Sequence, residues 1–156
     1  MANDFEKAKE CAFWYINKRR YTKKELINKL VQREYDRDIA EEAVKYLEEL
    51  DYVNDADYAR RYIHDAVRIK KHGMVRIKND LFQKGIDRNI IDEVLVDIDV
   101  DCTKVIDELI QIKAKNLDLT DEKQFNKLVA FLVRRGFKYG EAEQSVRNYR
   151  ENKGEL

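Results

Sequence analysis

The chain has 156 residues, enough for one or two ordinary domains with a real core; 40% are charged, 44% apolar and none is proline. Lys, Glu, Leu, Ala and Arg recur where a β protein would show alternating β-branched residues and glycine- or proline-rich turns, so the composition argues against strands and for an all-α fold. A formal net charge of zero excludes a global field toward nucleic acid or anionic lipid, and two cysteines, Cys11 and Cys102, do not make a disulfide framework.

The opening "MANDFEKAKE" lacks the basic start and apolar stretch of a secretion signal, and no run approaches membrane-spanning length, so the expected compartment is the cytoplasm. A first helix is expected in "FEKAKECAFWYINKR" (5–19). Next, "TKKE" (Thr22 to Glu25) reads as a capping box, the threonine oxygen on a backbone N–H and the glutamate reaching back. It opens a short helix with Leu26 and Leu30 on one stripe. A turn at Glu34 follows, then a third helix with apolar residues at 39, 40, 43, 44 and 47. Asp36, just before it, is placed where a carboxylate satisfies free N–H groups.

The order then repeats. "DADYARRYIHDAVRIKK" (55–71) puts Tyr58, Ala59, Tyr62, Ile63 and Ala66 on one side. A short helix carries Ile77 and Leu81, Gly85 marks the turn, and Asp87 starts the next helix. "CTKVIDELIQIKAKNL" (102–117) opens a third round, with Thr120 or Asp121 as the next cap and Gly136 at the next turn. The segments 25–47, 76–98 and 127–149 align at an offset of 51 without a gap. Leu26, Ile77 and Leu128 coincide, as do Leu30, Leu81 and Leu132, and Tyr35, Ile86 and Phe137. Val44, Leu95 and Val146 align next, then Leu47, Ile98 and Tyr149. A fixed period near 50 is the mark of a helical repeat array. The expected architecture is three tandem three-helix repeats, 1–52, 53–99 and 100–156, in a curved, elongated array. Glu34 occupies the register of Gly85 and Gly136 and is expected to bear left-handed strain.

Chemistry is sparse. His64 and His72 lie eight apart amid Arg and Lys without a third metal ligand, so both read as solvent-exposed polar residues and no metal site is expected. "DIDVDCTKVIDE" (97–108) has acids at calcium-loop positions 1, 3, 5 and 12, but Cys102 stands where the loop needs glycine. Neither cysteine has a neighbouring histidine and no phosphate loop appears, so no enzyme and no cofactor are expected. Tyr58 and Tyr62 read as packing residues; Trp14 and Phe82 fit the core less well, and Phe82 is a surface or inter-repeat contact.

One charge asymmetry stands out. Residues 60–88 hold nine Lys or Arg against three Asp, a net of +6, and "KRRYTKK" (18–24) adds a shorter run. Arg60, Arg61, Arg68, Lys70, Lys71, Arg76, Lys78 and Lys84 form the candidate basic patch. Such clusters suit a phosphate backbone or an acidic protein surface.

Four stretches carry a family likeness: "RRYTKKELINKL" with Thr22, Glu25, Leu26, Lys29 and Leu30; "DYVNDADYA" with Tyr52, Asp55, Tyr58 and Ala59; "GMVRIKNDLFQKGI" from Gly73 to Ile86; and "RRGF" from Arg134 to Phe137. In order and spacing the chain resembles the RecX family of RecA regulators, from about residue 8 to residue 150. Asp51 and Glu34 replace common glycines and Asp80 a glutamate, departures that touch turns and no basic residue of the patch. The resemblance implies a non-catalytic protein that binds the RecA–single-stranded-DNA filament along its groove and limits RecA's ATPase, strand-exchange and coprotease activities; a monomer is expected. The patch would then touch acidic RecA surface or DNA. The competing expectation is a helical-repeat DNA-binding or adaptor protein acting without RecA. Against it, the third helices are acidic or mixed, a poor surface for a DNA groove.

Overall fold

The computed structural model describes residues 2–98 and 100–154, and among them every regular element is helical. In chain order these are α1 (Ala2–Ile16), α2 (Lys23–Gln32), α3 (Arg37–Glu49), α4 (Asp55–Arg68), α5 (Met74–Gln83), α6 (Arg88–Asp97), α7 (Cys102–Lys113), α8 (Glu122–Arg134) and α9 (Tyr139–Gly154), with a 3-10 turn at Ala114–Asn116. The all-α expectation holds. The chain packs as two compact units, Met1–Arg61 with Asp80–Ile98, and Tyr62–Asn79 with Asp99–Leu156; α4 and α5 each contribute residues to both. The 51-residue register remains the basis for the three-repeat boundaries, which we propose on sequence grounds.

In the first unit α1 packs on α3 and α2. Ala8 and Ala12, both fully buried, lie one turn apart on α1; lacking bulk, they let its backbone come close. The core around them contains Leu26, Leu30, Ala40, Val44 and Leu47. Each of these leucines contributes roughly 1.5–3 kcal/mol by burial. In the second unit α9 packs on α7 and α8 over Ile106, Ile110, Leu128, Leu132 and Val146.

The short helices all stop in one way. After α2, the Tyr35 N–H donates to the Leu30 carbonyl and the Glu34 N–H to Val31. Ile86 to Leu81 and Gly85 to Phe82 repeat this after α5, and Phe137 to Leu132 and Gly136 to Val133 after α8. This paired closure needs a left-handed residue at its centre. Gly85 and Gly136 have φ of 91° and 107°, and Glu34, as expected, has φ 72°. Asp51 ends α3 by the same closure at φ 65°.

The register positions in the short helices are buried in every copy: Leu26, Ile77 and Leu128, then Leu30, Leu81 and Leu132. In the helices that follow, the alignment is looser. Leu95, Ile98 and Tyr149 are only partly buried, while Ile91 and Val94 take the core positions of α6. Ala40, Ile91 and Ala142 share a buried register position that the sequence alignment did not single out.

The capping box at Thr22 forms, with Glu25 N–H to Thr22 Oγ1 at 3.1 Å and Thr22 N–H to Glu25 Oε1 at 2.9 Å. Asp121 caps α8, its Oδ1 accepting from the Lys123 N–H at 3.1 Å. Asp36 and Asp87 need correction. Each occupies the cap position, but neither carboxylate accepts a cap hydrogen bond, so their contribution is limited to the field of the helix terminus.

Candidate functional site

Of the eight basic residues, Arg60, Arg61 and Lys84 belong to the first unit and Arg68, Lys70, Lys71, Arg76 and Lys78 to the second. Arg60, Arg61, Arg68, Lys70, Arg76 and Lys78 are exposed; Lys71 and Lys84 are half-buried. Arg60, Arg68 and Lys78 make no ion pair among the described residues. Arg61 is held by Asp57 one turn earlier, Nε to Oδ2 at 3.1 Å. Lys84 offers its backbone: its carbonyl accepts from the Thr22 hydroxyl at 2.6 Å.

The second unit holds the more informative cluster. α4 ends at Arg68, and the chain then turns through Lys71, whose φ of 54° places a long side chain where glycine would be relaxed. Lys71 Nζ reaches Glu108 on α7 at 2.7 Å, and this bond holds the Glu108 carboxyl below its ordinary range. Arg68, Lys71, His64 and Lys104 line an open groove of about 390 Å³, with Asp101 and Glu108 as its acids. Lys70 Nζ stands 5.6 Å from the centre of the Tyr62 ring, and its carbonyl accepts from the Arg135 guanidinium.

Lys71 leads straight into α5. The Gly73 N–H donates to the Arg135 carbonyl at 2.8 Å and Val75 N–H to Gly136 at 3.0 Å, so the first turn of α5 is bonded to the turn after α8. A Cβ on Gly73 would stand 2.3 Å from the Gly136 carbonyl, and one on Gly136 would stand 2.5 Å from Arg76 Cβ. Both glycines are therefore required by backbone contact. This packing fixes the start of the helix that carries Arg76 and Lys78.

Sequence reasoning missed Arg135 and Lys104, which join the cluster from residues outside the 60–88 window. His72 is corrected: it is buried, not a surface residue, and its N–H donates to the Ala66 carbonyl at 2.9 Å. The calcium-like stretch divides among separate roles. Asp97 ends α6, Asp101 caps α7 by accepting from the Lys104 N–H, and Glu108 lies within α7; Asp99 falls outside the described residues. Among the described residues no group of three His, Cys, Asp or Glu is assembled for a metal, and no helix is long and apolar enough to cross a membrane.

A chain of recurring helix-turn units, helical in every regular element among the described residues and carrying exposed basic residues, has the build of helical binding and regulatory proteins. Comparison with known proteins names the family. Residues 8–47 match the model for the first three-helix domain of RecX, and residues 54–95 match that for the second. The chain is 32% identical over 134 residues to the regulatory protein RecX of Chlorobium phaeobacteroides, covering 86% of this chain and 87% of that protein. It is 30% identical to that of Finegoldia magna over 90% of this chain and 70% of the other. It spans 65% of the longer Clostridium beijerinckii protein, at 32% identity. The crystal structure of RecX from Lactobacillus salivarius superposes with a TM-score of 0.84 at 27% identity, over 95% of this chain and 97% of that one. The chain belongs to the RecX family.

Proposed function

We propose that this protein is a non-catalytic regulator that binds the RecA filament on single-stranded DNA and lowers RecA's ATPase, strand-exchange and coprotease activities. Family membership supports the regulatory class, and the resemblance in the motifs supports RecA as the target. The observation that carries the reading is the basic set of exposed Arg68 and Lys78 with half-buried Lys71, in which only Lys71 has a carboxylate partner among the described residues. Charge left without partners on a neutral protein suits an acidic protein surface or phosphates. Lys71, held in a left-handed conformation, is an example of local strain retained where a side chain is needed. In this reading the protein works as a monomer in the cytoplasm and needs no cofactor.

The test is ATP hydrolysis by RecA on single-stranded DNA with this protein added below stoichiometry. A dose-dependent fall, abolished by the double reversal Arg76→Glu and Lys78→Glu with helicity retained, is expected. No change in hydrolysis, together with no detectable binding to the filament, overturns the proposal.

A further inference from the structure

The first unit contains a second concentration of basic residues. Arg19 and Arg20 come from the segment after α1, and Arg61 from the second turn of α4. They line an open cavity of about 320 Å³ together with Tyr21, Tyr52 and Tyr58. That volume is at the lower end of the usual range for small-ligand sites, the scale of one nucleotide.

The arginines are organised from within the unit. Arg20 and Arg61, 41 residues apart in sequence, converge on one carboxylate: Arg20 Nη1 reaches Asp57 Oδ2 at 3.2 Å and Arg61 Nε reaches the same oxygen at 3.1 Å. One acid thus balances one of two guanidiniums, and each keeps further N–H donors for an incoming anion. Arg19 lies over the Tyr21 ring, 3.6 Å from its centre, and donates from Nη1 to the Arg20 carbonyl at 2.7 Å. Tyr52 is held edge-on by Phe13 at 5.2 Å between ring centres, yet remains 58% exposed. The other acid at the cavity, Asp51, accepts from the Asn54 amide at 2.9 Å. Guanidiniums beside an exposed, positioned aromatic ring are the elements that recognise a single strand, one taking the phosphate and the other the base.

We infer that this cavity is a binding site for a nucleotide of single-stranded DNA, with Arg20 and Arg61 on the phosphodiester and Tyr52 stacking on the base. The assignment rests on the proposed filament reading for its setting, and its test uses the strand without RecA, so the two can fail separately. Asp57 acts as a placeholder: it holds the two arginines parted from solvent anions and must share them when a phosphate arrives. That gives the test a sign that a purely structural role does not predict.

The experiment is fluorescence anisotropy of a short labelled oligodeoxythymidylate titrated with the whole protein across a salt series, with circular dichroism as the fold control. Arg61→Ala is expected to weaken binding and to reduce the salt slope by about 0.7, one phosphate contact. Tyr52→Ala is expected to weaken binding about tenfold while leaving that slope unchanged. Asp57→Asn, which keeps the side chain's shape and removes its charge, is expected to tighten binding. Absence of oligonucleotide binding by the folded protein overturns the assignment. So does equal affinity across the three variants, or binding that inorganic phosphate competes away while Tyr52→Ala has no effect.

Discussion

The Thr22 hydroxyl donates to the Lys84 carbonyl at 2.6 Å across 62 residues of chain, and the Gly73 N–H donates to the Arg135 carbonyl at 2.8 Å across the same separation. Thr22 and Gly73 share one register position, Lys84 and Arg135 another. Within each unit, therefore, the start of one short helix is bonded to the turn that closes the next short helix along the chain. Thr22 is fully buried and has two duties, capping α2 and making this joint. Thr22→Val should lower stability by about 2 kcal/mol, because it orphans the Glu25 N–H and the partly buried Lys84 carbonyl together. Thr22→Ser should stay within about 1 kcal/mol of the parent. Urea denaturation of the two variants checks the difference, and equal losses would mean that packing of the methyl group dominates.

The left-handed positions give opposite signs. At Gly136 any Cβ meets Arg76 Cβ at 2.5 Å and its backbone nitrogen at 2.9 Å, besides the strain of φ 107°. Gly136→Ala is expected to destabilise by more than about 2 kcal/mol. Glu34 holds the equivalent conformation at φ 72° with its side chain exposed. Glu34→Gly is expected to raise Tm by about 2–4 °C. Calorimetry on both variants decides; a fall in Tm for Glu34→Gly would show that the glutamate makes a stabilising contact worth more than the strain.

How far the sequence reveals this structure is visible at these same residues. The capping box was legible because it is written within four neighbouring residues, and the 51-residue offset and the left-handed Glu34 were legible because one local pattern recurs along the chain. The second partner of Thr22 was not, since nothing near position 22 marks a carbonyl 62 residues ahead. Asp36 and Asp87 stand in the right place for caps, yet the hydrogen bond depends on a side-chain rotamer that sequence does not specify. His72 looked exposed because its neighbours are charged, whereas the turn through Lys71 carries it inward. For the basic cluster, composition gave the window but not Arg135 or Lys104, which reach it only through tertiary packing.

Asp55 supplies a pH-dependent term. Burial raises its carboxyl above the ordinary value, partly offset by the Lys23 N–H, which donates to Oδ1 at 2.8 Å. Between the ordinary and the raised value the folded chain holds the extra proton, so this group's contribution to stability falls as pH rises through that interval. Asp55→Asn keeps an acceptor for Lys23 and loses the charge. The variant should match the parent at about pH 3.5, where both side chains are neutral, and exceed it in Tm at about pH 7. Thermal melts at the two pH values test this; a variant less stable than the parent at neutral pH would show that the charge on the first turn of α4 outweighs its burial.

Lys71 allows stability and binding to be separated. Its ion pair with Glu108 is partly exposed and screened by solvent, so it does little more than offset the strain that its φ of 54° imposes. Lys71→Gly should leave Tm within about 3 °C of the parent while weakening attachment to the RecA filament, if the proposed surface is used. Co-sedimentation with filaments alongside a melt gives both readings. Unchanged sedimentation would remove Lys71 from the contact surface.

The equal spacing of the two joints bears on how such a chain changes length. Each joint pairs a helix start with a turn 62 residues later, so a tandem duplication of a 51-residue stretch that includes both Gly73 and Lys84 copies one donor and one acceptor together and leaves the flanking pair in phase. Growth or loss by whole units then needs no new interface, whereas an insertion of another length within a joint's span must be absorbed by a loop. Chain length in such a protein is free to vary in discrete steps.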